Sequence, residues 1–165
     1  MNVYTVKLDP IVLRRDQAYY ALQAIIHTIL VQRTIGLTIK PKDVDSPAFD
    51  LTYIMIDDPV IADKVETKIR ELVKSMSQRM RFCLTLCSDI TNYGFMGSYI
   101  EHCEWERWYI EFIFAGKAES LQDTMNSILD HCSVPPHHIP TTEFFFDLID
   151  PDASSLFDRL APFFS

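Results

Sequence analysis

Residues 16–34, DQAYYALQAIIHTILVQRT, decide how the chain can fold. Apolar residues recur at helical spacing through this stretch, which predicts one long α-helix. A second apolar stripe runs beside the first, so the helix should be covered on more than one side. We therefore expect a central helix that is capped at its start by Asp16 and ends near Gly36.

Strands and further helices are predicted on both sides of this helix. The patterns favour strands over 3–8, 50–56, 80–87, 105–114 and 142–149. They favour helices over 59–76 and 118–132 and a short helical turn over 154–160. The second helix should begin with Asp58 as its cap and Pro59 at its first position. With connections over 37–49 and 88–104, this order is typical of an α+β fold.

Composition restricts the class of protein. The 165 residues carry a formal net charge of −8 and are 48% hydrophobic, which fits one globular domain. The acidic balance disfavours nucleic acid and acidic membrane surfaces as partners, because both attract clustered Lys and Arg. The N-terminus has no signal-peptide pattern and no apolar run is long enough to span a membrane. We therefore expect a cytoplasmic protein whose four cysteines are free thiols.

Catalytic and cofactor motifs are absent from the sequence, so we expect no catalytic residues and no cofactor. Four glycines in the whole chain provide no loop of the kind that cradles phosphate. His27 lies in the middle of the first helix, where a core histidine is a better interpretation than a general base.

A metal site is the alternative that the histidines and cysteines leave open. Cys83 and Cys87 are four apart on a predicted strand, about 13 Å, which is too far for one zinc ion. A mixed site among other residues is conceivable, and would make this a small His/Cys metal-binding protein; its candidate ligands are His102, Cys103, His131, Cys132, His137 and His138. Because no C-x-x-C spacing exists, we predict that there is no metal site.

An apolar loop in the second half of the chain suggests a binding role. The segment 93–100, YGFMGSYI, places large apolar side chains among glycines and a serine. Such a loop either anchors a partner protein or folds back onto the sheet. Its candidate anchors are Tyr93, Phe95 and Met96.

Several motifs together resemble the autophagy-related protein 101 family, whose members are HORMA-domain subunits of the autophagy-initiation kinase complex. The first motif ends the long helix and is matched by His27, Thr28, Leu30, Arg33 and Gly36. A second, D-V-D followed by D-x-T-Y, is matched by Asp43, Val44, Asp45, Asp50, Thr52 and Tyr53. The third, W-E-x-W, is matched by Trp105, Glu106 and Trp108, and a late segment is similar over 156–163. The similarity follows the same order through most of the chain.

The resemblance implies a HORMA-like fold over residues 1–165, with a mainly antiparallel sheet backed by three helices and a C-terminal segment, 134–165, that can rearrange. It implies a non-catalytic adaptor that heterodimerises with and stabilises the HORMA domain of autophagy-related protein 13. The adaptor would help to assemble the kinase and scaffold subunits at the preautophagosomal site. A peptide-trapping HORMA module of another pathway is the alternative within the same fold.

The resemblance also implies roles for individual residues. Partner contacts are expected on the first and third helices, at Gln32, Arg33, Gln122, Met125, Asn126 and Leu129. Structural roles are expected for the motif residues His27, Thr28, Asp43, Asp45, Asp50, Tyr53, Trp105 and Trp108. Some relatives carry an exposed Trp-Phe finger before the W-E-x-W strand. In this chain the corresponding recruitment loop contains Tyr93, Phe95 and Met96 and no tryptophan, so Phe95 is expected to substitute for the finger only in part.

Overall fold

The computed structural model describes residues 3–34, 39–74, 78–116, 120–133, 138–139 and 144–151. A short 3-10 turn, Arg15–Gln17, precedes the first helix. The strands and helices follow in chain order as β1 Tyr4–Lys7, β2 Ile11–Leu13, α1 Ala18–Arg33, β3 Pro41–Asp45, β4 Thr52–Ile56, α2 Pro59–Val73, β5 Arg79–Gly94, β6 Gly97–Phe114, α3 Gln122–Ser133 and β7 Phe145–Ile149.

The main sheet has the strand order β1–β6–β5–β7, with β2 also paired to β6. Strand β5 is antiparallel to both β6 and β7, while β1 and β2 are parallel to β6. Strands β3 and β4 form a separate antiparallel pair. This arrangement confirms the predicted α+β class, with a mainly antiparallel sheet and three helices.

The core lies between the main sheet and α1. Alternate residues of β5 and β6 face it and are fully buried, among them Phe82 and Trp108. Helix α1 is buried along its length because it packs against α2, α3 and β4. The two apolar stripes therefore predicted its central position correctly.

Two helix starts show how local chemistry sets the ends. Helix α2 begins as predicted, with the Asp58 carboxylate accepting from the backbone N–H of Val60 at 2.8 Å. The predicted cap of α1 is wrong. Asp16 lies in the 3-10 turn and pairs with Arg14 at 3.1 Å, and Gln17 occupies the cap position without a side-chain cap bond. Asp16 lies one residue before that cap position, inside the 3-10 turn, so its carboxylate does not cap α1.

Both predicted connections contain regular structure. Part of 37–49 is β3, whose backbone pairs with β4 although its side chains are largely exposed. The predicted loop 88–104 is instead the continuation of β5 and β6, paired up to Gly94 and Gly97. Both segments lack a buried face, so backbone pairing, and not an apolar pattern, makes them strands.

Some predicted features lie outside the described residues. These are the C-terminal signal Gly36, the helix positions Met76 and Ala118, the possible ligand His137, and the segment 154–163.

Helix α3 begins at Gln122, whose backbone N–H donates to Ser120 Oγ at 3.2 Å. None of the described helices is both long enough and apolar enough to cross a lipid bilayer.

Candidate functional site

The distal part of the β5–β6 hairpin, residues 89–102, lies almost entirely at the surface. Its strands remain paired to the end, where Gly94 faces Gly97 across a two-residue turn. Gly97 has a φ of +128°, a conformation that other residues rarely adopt, so the turn requires glycine there. We call Tyr93, Phe95 and Met96 the hairpin tip.

The hairpin tip presents large apolar side chains to solvent. Phe95 is fully exposed, and Met96 and Tyr93 are 95% and 85% exposed. Tyr99 and Ile100 on the returning strand are exposed as well. One exposed apolar side chain is ordinary on a protein surface, but several adjacent ones form the kind of patch that binds partners. Of the two interpretations of this segment, folding back onto the sheet is therefore wrong.

Cross-strand bonds hold the hairpin in register beneath the tip. Asn92 Nδ2 donates to Glu101 Oε2 at 2.8 Å, and the His102 ring pairs with the Asp89 carboxylate. The tip is therefore carried on an ordered ladder and loses little conformational freedom when it binds.

The hairpin is acidic as well as apolar. Residues 88–103 contain Asp89 and Glu101 but no Lys or Arg. This charge is unfavourable for contact with an anionic lipid surface and favours a partner with basic groups beside an apolar pocket.

Helix α3 provides a second exposed surface. Gln122, Asn126 and Leu129 lie on its outer side, and the Gln122 amide donates to Asn126 Oδ1 at 3.0 Å. Leu129 is 43% exposed, which is high for a leucine on a helix that packs on a core. We call these three residues the α3 face.

The other expected contact residues are less accessible. Met125 is 5% exposed and packs in the core, and Gln32 is half-buried. Arg33 is 2% exposed, and its Nε lies 2.9 Å from Glu106 Oε1 in a buried ion pair. In the described conformation Arg33 and Met125 cannot reach a partner. Their side chains hold α1 and α3 against the sheet instead.

The histidines and cysteines are dispersed within the described residues, where no three His, Cys, Asp or Glu side chains could share a metal ion. His131 packs edge-on against Trp108, His102 pairs with Asp89 at the surface, and His138 contacts Glu106. All four cysteines are free thiols. Burial raises the pKa of Cys87 and Cys132 to about 11, so these thiols stay protonated and are poor nucleophiles at neutral pH.

A family model described as Autophagy-related protein 101 matches residues 10–143, which include the hairpin, α1 and α3. The chain belongs to the autophagy-related protein 101 family. Autophagy-related protein 101 of Arabidopsis thaliana is 28% identical to the chain over 114 residues, or 67% of the chain and 53% of that relative. The chain thus spans about half of the length of the curated relative that it matches.

The residues that match the autophagy-related protein 101 motifs divide between core and surface. Trp105, Trp108 and Tyr53 are buried. His27 is also buried, lies parallel to the Tyr53 ring with centroids 6.2 Å apart, and has its pKa lowered to about 4 by burial. Thr28 is buried beside it, while Asp43, Asp45 and Asp50 are exposed around the β3–β4 pair.

Sequence reasoning named Glu106 as a motif residue and His138 as a possible metal ligand, but it did not predict that the two side chains meet inside the fold. The signal for Glu106 was available. It lies two residues before Trp108, in phase with the buried positions of β6, so its carboxylate had to point into the core. No comparable pattern marks His138, because tertiary contacts alone bring it there.

Proposed function

We propose that the chain is a non-catalytic adaptor of the autophagy-initiation kinase complex. In this proposal residues 1–165 form a single HORMA domain that heterodimerises with and stabilises the HORMA domain of autophagy-related protein 13. It acts in the cytoplasm, at the preautophagosomal assembly site, with the kinase and scaffold subunits. The observation that carries the proposal is the exposed apolar hairpin tip, in a chain that belongs to this family.

The hairpin tip supports an adaptor because its energetics suit protein binding. Fully burying a phenylalanine or methionine side chain contributes about 1.5–3 kcal/mol, so Phe95 and Met96 together contribute roughly 3–6 kcal/mol toward the about 8 kcal/mol of a micromolar interaction. A few anchors of this kind commonly dominate an interface. The tip therefore suits the recruitment of a downstream autophagy factor, with Phe95 as the main anchor.

The α3 face supports the heterodimer. Leu129 provides an apolar contact, and Gln122 and Asn126 provide hydrogen-bonding groups around it, an arrangement common in protein interfaces. Gln32, half-buried near the end of α1, can add a polar contact. Arg33 and Met125 would act indirectly, by fixing the two helices that present this surface.

The heterodimer is tested by co-expression with the HORMA domain of autophagy-related protein 13, followed by size-exclusion chromatography with light scattering. We expect a one-to-one complex that Leu129→Asp weakens about 10-fold or more, since it removes an apolar contact and inserts a charge. Val60→Asp is the control, because it makes the same kind of change, aliphatic to charged, at an exposed residue of a different helix, α2. Failure of the wild-type chains to associate, or equal effects of the two variants, would contradict the proposed surface.

Recruitment is tested separately with the double variant Phe95→Ala and Met96→Ala. We expect it to keep the heterodimer and to lose capture of downstream autophagy factors from the assembled complex. Ile54→Ala, which shortens an exposed side chain on β4, is the control. Undiminished capture by the double variant would exclude the hairpin tip as the recruitment element.

A further inference from the structure

The largest cavity among the described residues opens between the end of α1, the start of α2 and the start of β7, and its volume is about 800 Å³. We call it the α2–β7 cavity. Much of its wall is apolar and is formed by Leu30, Ile39, Ile56, Val60, Ile61 and Phe146. Val60 is 77% exposed although it lines the cavity, so the α2 side is open to solvent. The volume falls within the roughly 300–1,000 Å³ of cavities that enclose a bound group.

Basic groups line the wall of the α2–β7 cavity. Lys64 Nζ lies 4.4 Å from the centre of the Phe146 ring and donates to the backbone oxygen of Phe146, and Lys40 lines the cavity as well. Asp57 and Asp58 also line it, but the Asp58 carboxylate is already bonded to the start of α2. The cavity therefore combines an apolar interior with ammonium groups beside it.

The hairpin tip of the same chain has the complementary properties. Phe95 and Met96 project fully into solvent. The strands beneath them contain Asp89 and Glu101 and, over residues 88–103, no Lys or Arg. A surface that suits this tip needs an apolar pocket with basic groups beside it, and the α2–β7 cavity has both features.

The tip cannot enter the cavity of its own molecule. Phe145 lines the cavity and pairs with Cys87 of β5, whereas the tip follows Gly94, seven residues further along the strand. Seven residues of a strand span about 23 Å. Because β5 and β6 stay paired up to Gly94, the hairpin is an ordered ribbon that points away from this cavity. The tip and the cavity can therefore meet only between two molecules.

An open strand edge lies between the tip and the cavity. In the described part of the chain β7 pairs with β5 only from Cys83 to Cys87, which leaves that edge of β5 open from Ser88 to Gly94. Two such edges can lie antiparallel about a two-fold axis near residues 91 and 92. Each tip then reaches the end of the edge where β7 of the other copy begins, beside the α2–β7 cavity.

The charges allow this arrangement. The two Asp89 side chains lie four to six residues apart along the paired edges, about 13–20 Å by strand rise. That distance exceeds the Debye length of about 8 Å at physiological salt, so their repulsion is largely screened. Each acidic hairpin lies beside the basic wall of the other copy's cavity, where the charges attract.

We propose that the chain forms a closed homodimer in which the hairpin tip of each copy docks in the α2–β7 cavity of the other. The six tip side chains bury roughly 1,200 Å² at about 200 Å² each, which with the cavity walls they cover reaches the size of a stable interface. The α3 face lines no part of the cavity and stays accessible in the homodimer. The tip is covered, so self-association competes with recruitment.

Sedimentation equilibrium of the full-length chain alone, from about 1 to 200 μM, tests the homodimer. We expect a mass of 19.1 kDa at low concentration that rises toward twice this value. A mass that stays at 19.1 kDa would overturn the proposal. A mass that rises beyond the dimer would contradict the reciprocal contact, because a contact that does not close continues to add copies. The measurement involves no autophagy factor, so its outcome is independent of the proposed function.

Two variants test the two halves of the contact. We expect Phe95→Ala with Met96→Ala to weaken the dimer about 10-fold or more, because it removes both anchors, and Val60→Asp to do the same by placing a charge in the cavity. All three positions are exposed, so the variants should fold, which circular dichroism checks. Ile54→Ala, at an exposed position that does not line the cavity, is the control and should dimerise like the wild type. A dimer of unchanged affinity in either folded test variant would refute the proposal.

Mixing the two variants distinguishes docking of a tip in a cavity from every symmetric contact. The tip variant retains its cavity and the Val60→Asp variant retains its tip, so a mixed dimer keeps one intact contact of the two. We expect an equimolar mixture to dimerise several-fold more tightly than either variant alone and less tightly than the wild type. A mixture that dimerises no better than the separate variants would show that the tip does not dock in this cavity.

Discussion

The pH dependence of stability should identify His27 as a buried neutral histidine. Its ring is 1% exposed, and burial lowers its pKa from 6.5 to about 4. Below pH 6.5 the unfolded chain takes up a proton at His27, whereas the folded chain keeps this ring neutral until the pH approaches 4. The neutral buried ring therefore contributes its full stabilisation above pH 6.5, and this contribution is lost as the pH falls toward 4.

The size of the effect follows from the two pKa values. Proton linkage at His27 alone lowers the free energy of unfolding by about 2 kcal/mol between pH 7.5 and pH 5. That is a large part of the 5–15 kcal/mol that usually stabilises a domain, so about 2 kcal/mol is readily measured. Stopping at pH 5 keeps most carboxylate titration out of the comparison.

The assay is urea unfolding of the wild type and of His27→Phe at both pH values, followed by circular dichroism. Phenylalanine keeps a flat ring against Tyr53, and His27 Nδ1 makes no hydrogen bond that the substitution would break. Between the two pH values, we expect the free energy of unfolding to fall by about 2 kcal/mol less in the variant than in the wild type. His102→Phe, at a site with a 69% exposed side chain, controls for loss of a surface histidine. Equal losses in wild type and His27→Phe would refute the assignment.

Three further substitutions test the surface, the core and a helix end. Phe95→Ala should change the free energy of unfolding by less than about 0.5 kcal/mol, because the side chain is fully exposed; a large drop in melting temperature would show that the tip packs on the fold. Ile26→Asp should lower the free energy of unfolding by roughly several kcal/mol, because it buries an unpaired charge at a position that is 1% exposed. A urea titration measures this loss. Wild-type stability there would contradict the central position of α1. Asp58→Ala should cost about 1 kcal/mol by removing the cap of α2, whereas its exposed neighbour Asp57→Ala should not; equal effects would argue against capping.

Much of the fold was predictable because burial leaves a periodic pattern. The apolar stripes of α1, the alternation in β5 and β6, and the Asp58-Pro59 start of α2 all correspond to structure that is present. The errors fall where burial is absent. Strand β3 and the outer hairpin have exposed side chains, so their pairing left no apolar alternation to recognise.

The candidate site divides in the same way. Tyr93, Phe95 and Met96 were recognisable because large apolar side chains between glycines are unusual in a solvated turn. The assignment of Arg33 and Met125 to a partner surface came from similarity alone, and neither side chain is accessible. Similarity locates a helix, but the face that a residue occupies depends on what packs against that helix.

The sequence by itself determined the class of fold, the central helix, the apolar tip and membership of the autophagy-related protein 101 family, because each depends on neighbouring residues or on an ordered set of motifs. Only the tertiary structure decided that Glu106 meets Arg33 and His138, which are 73 and 32 residues away along the chain. A buried carboxylate must find compensating partners, and those partners are chosen by distance in space, which no local pattern records.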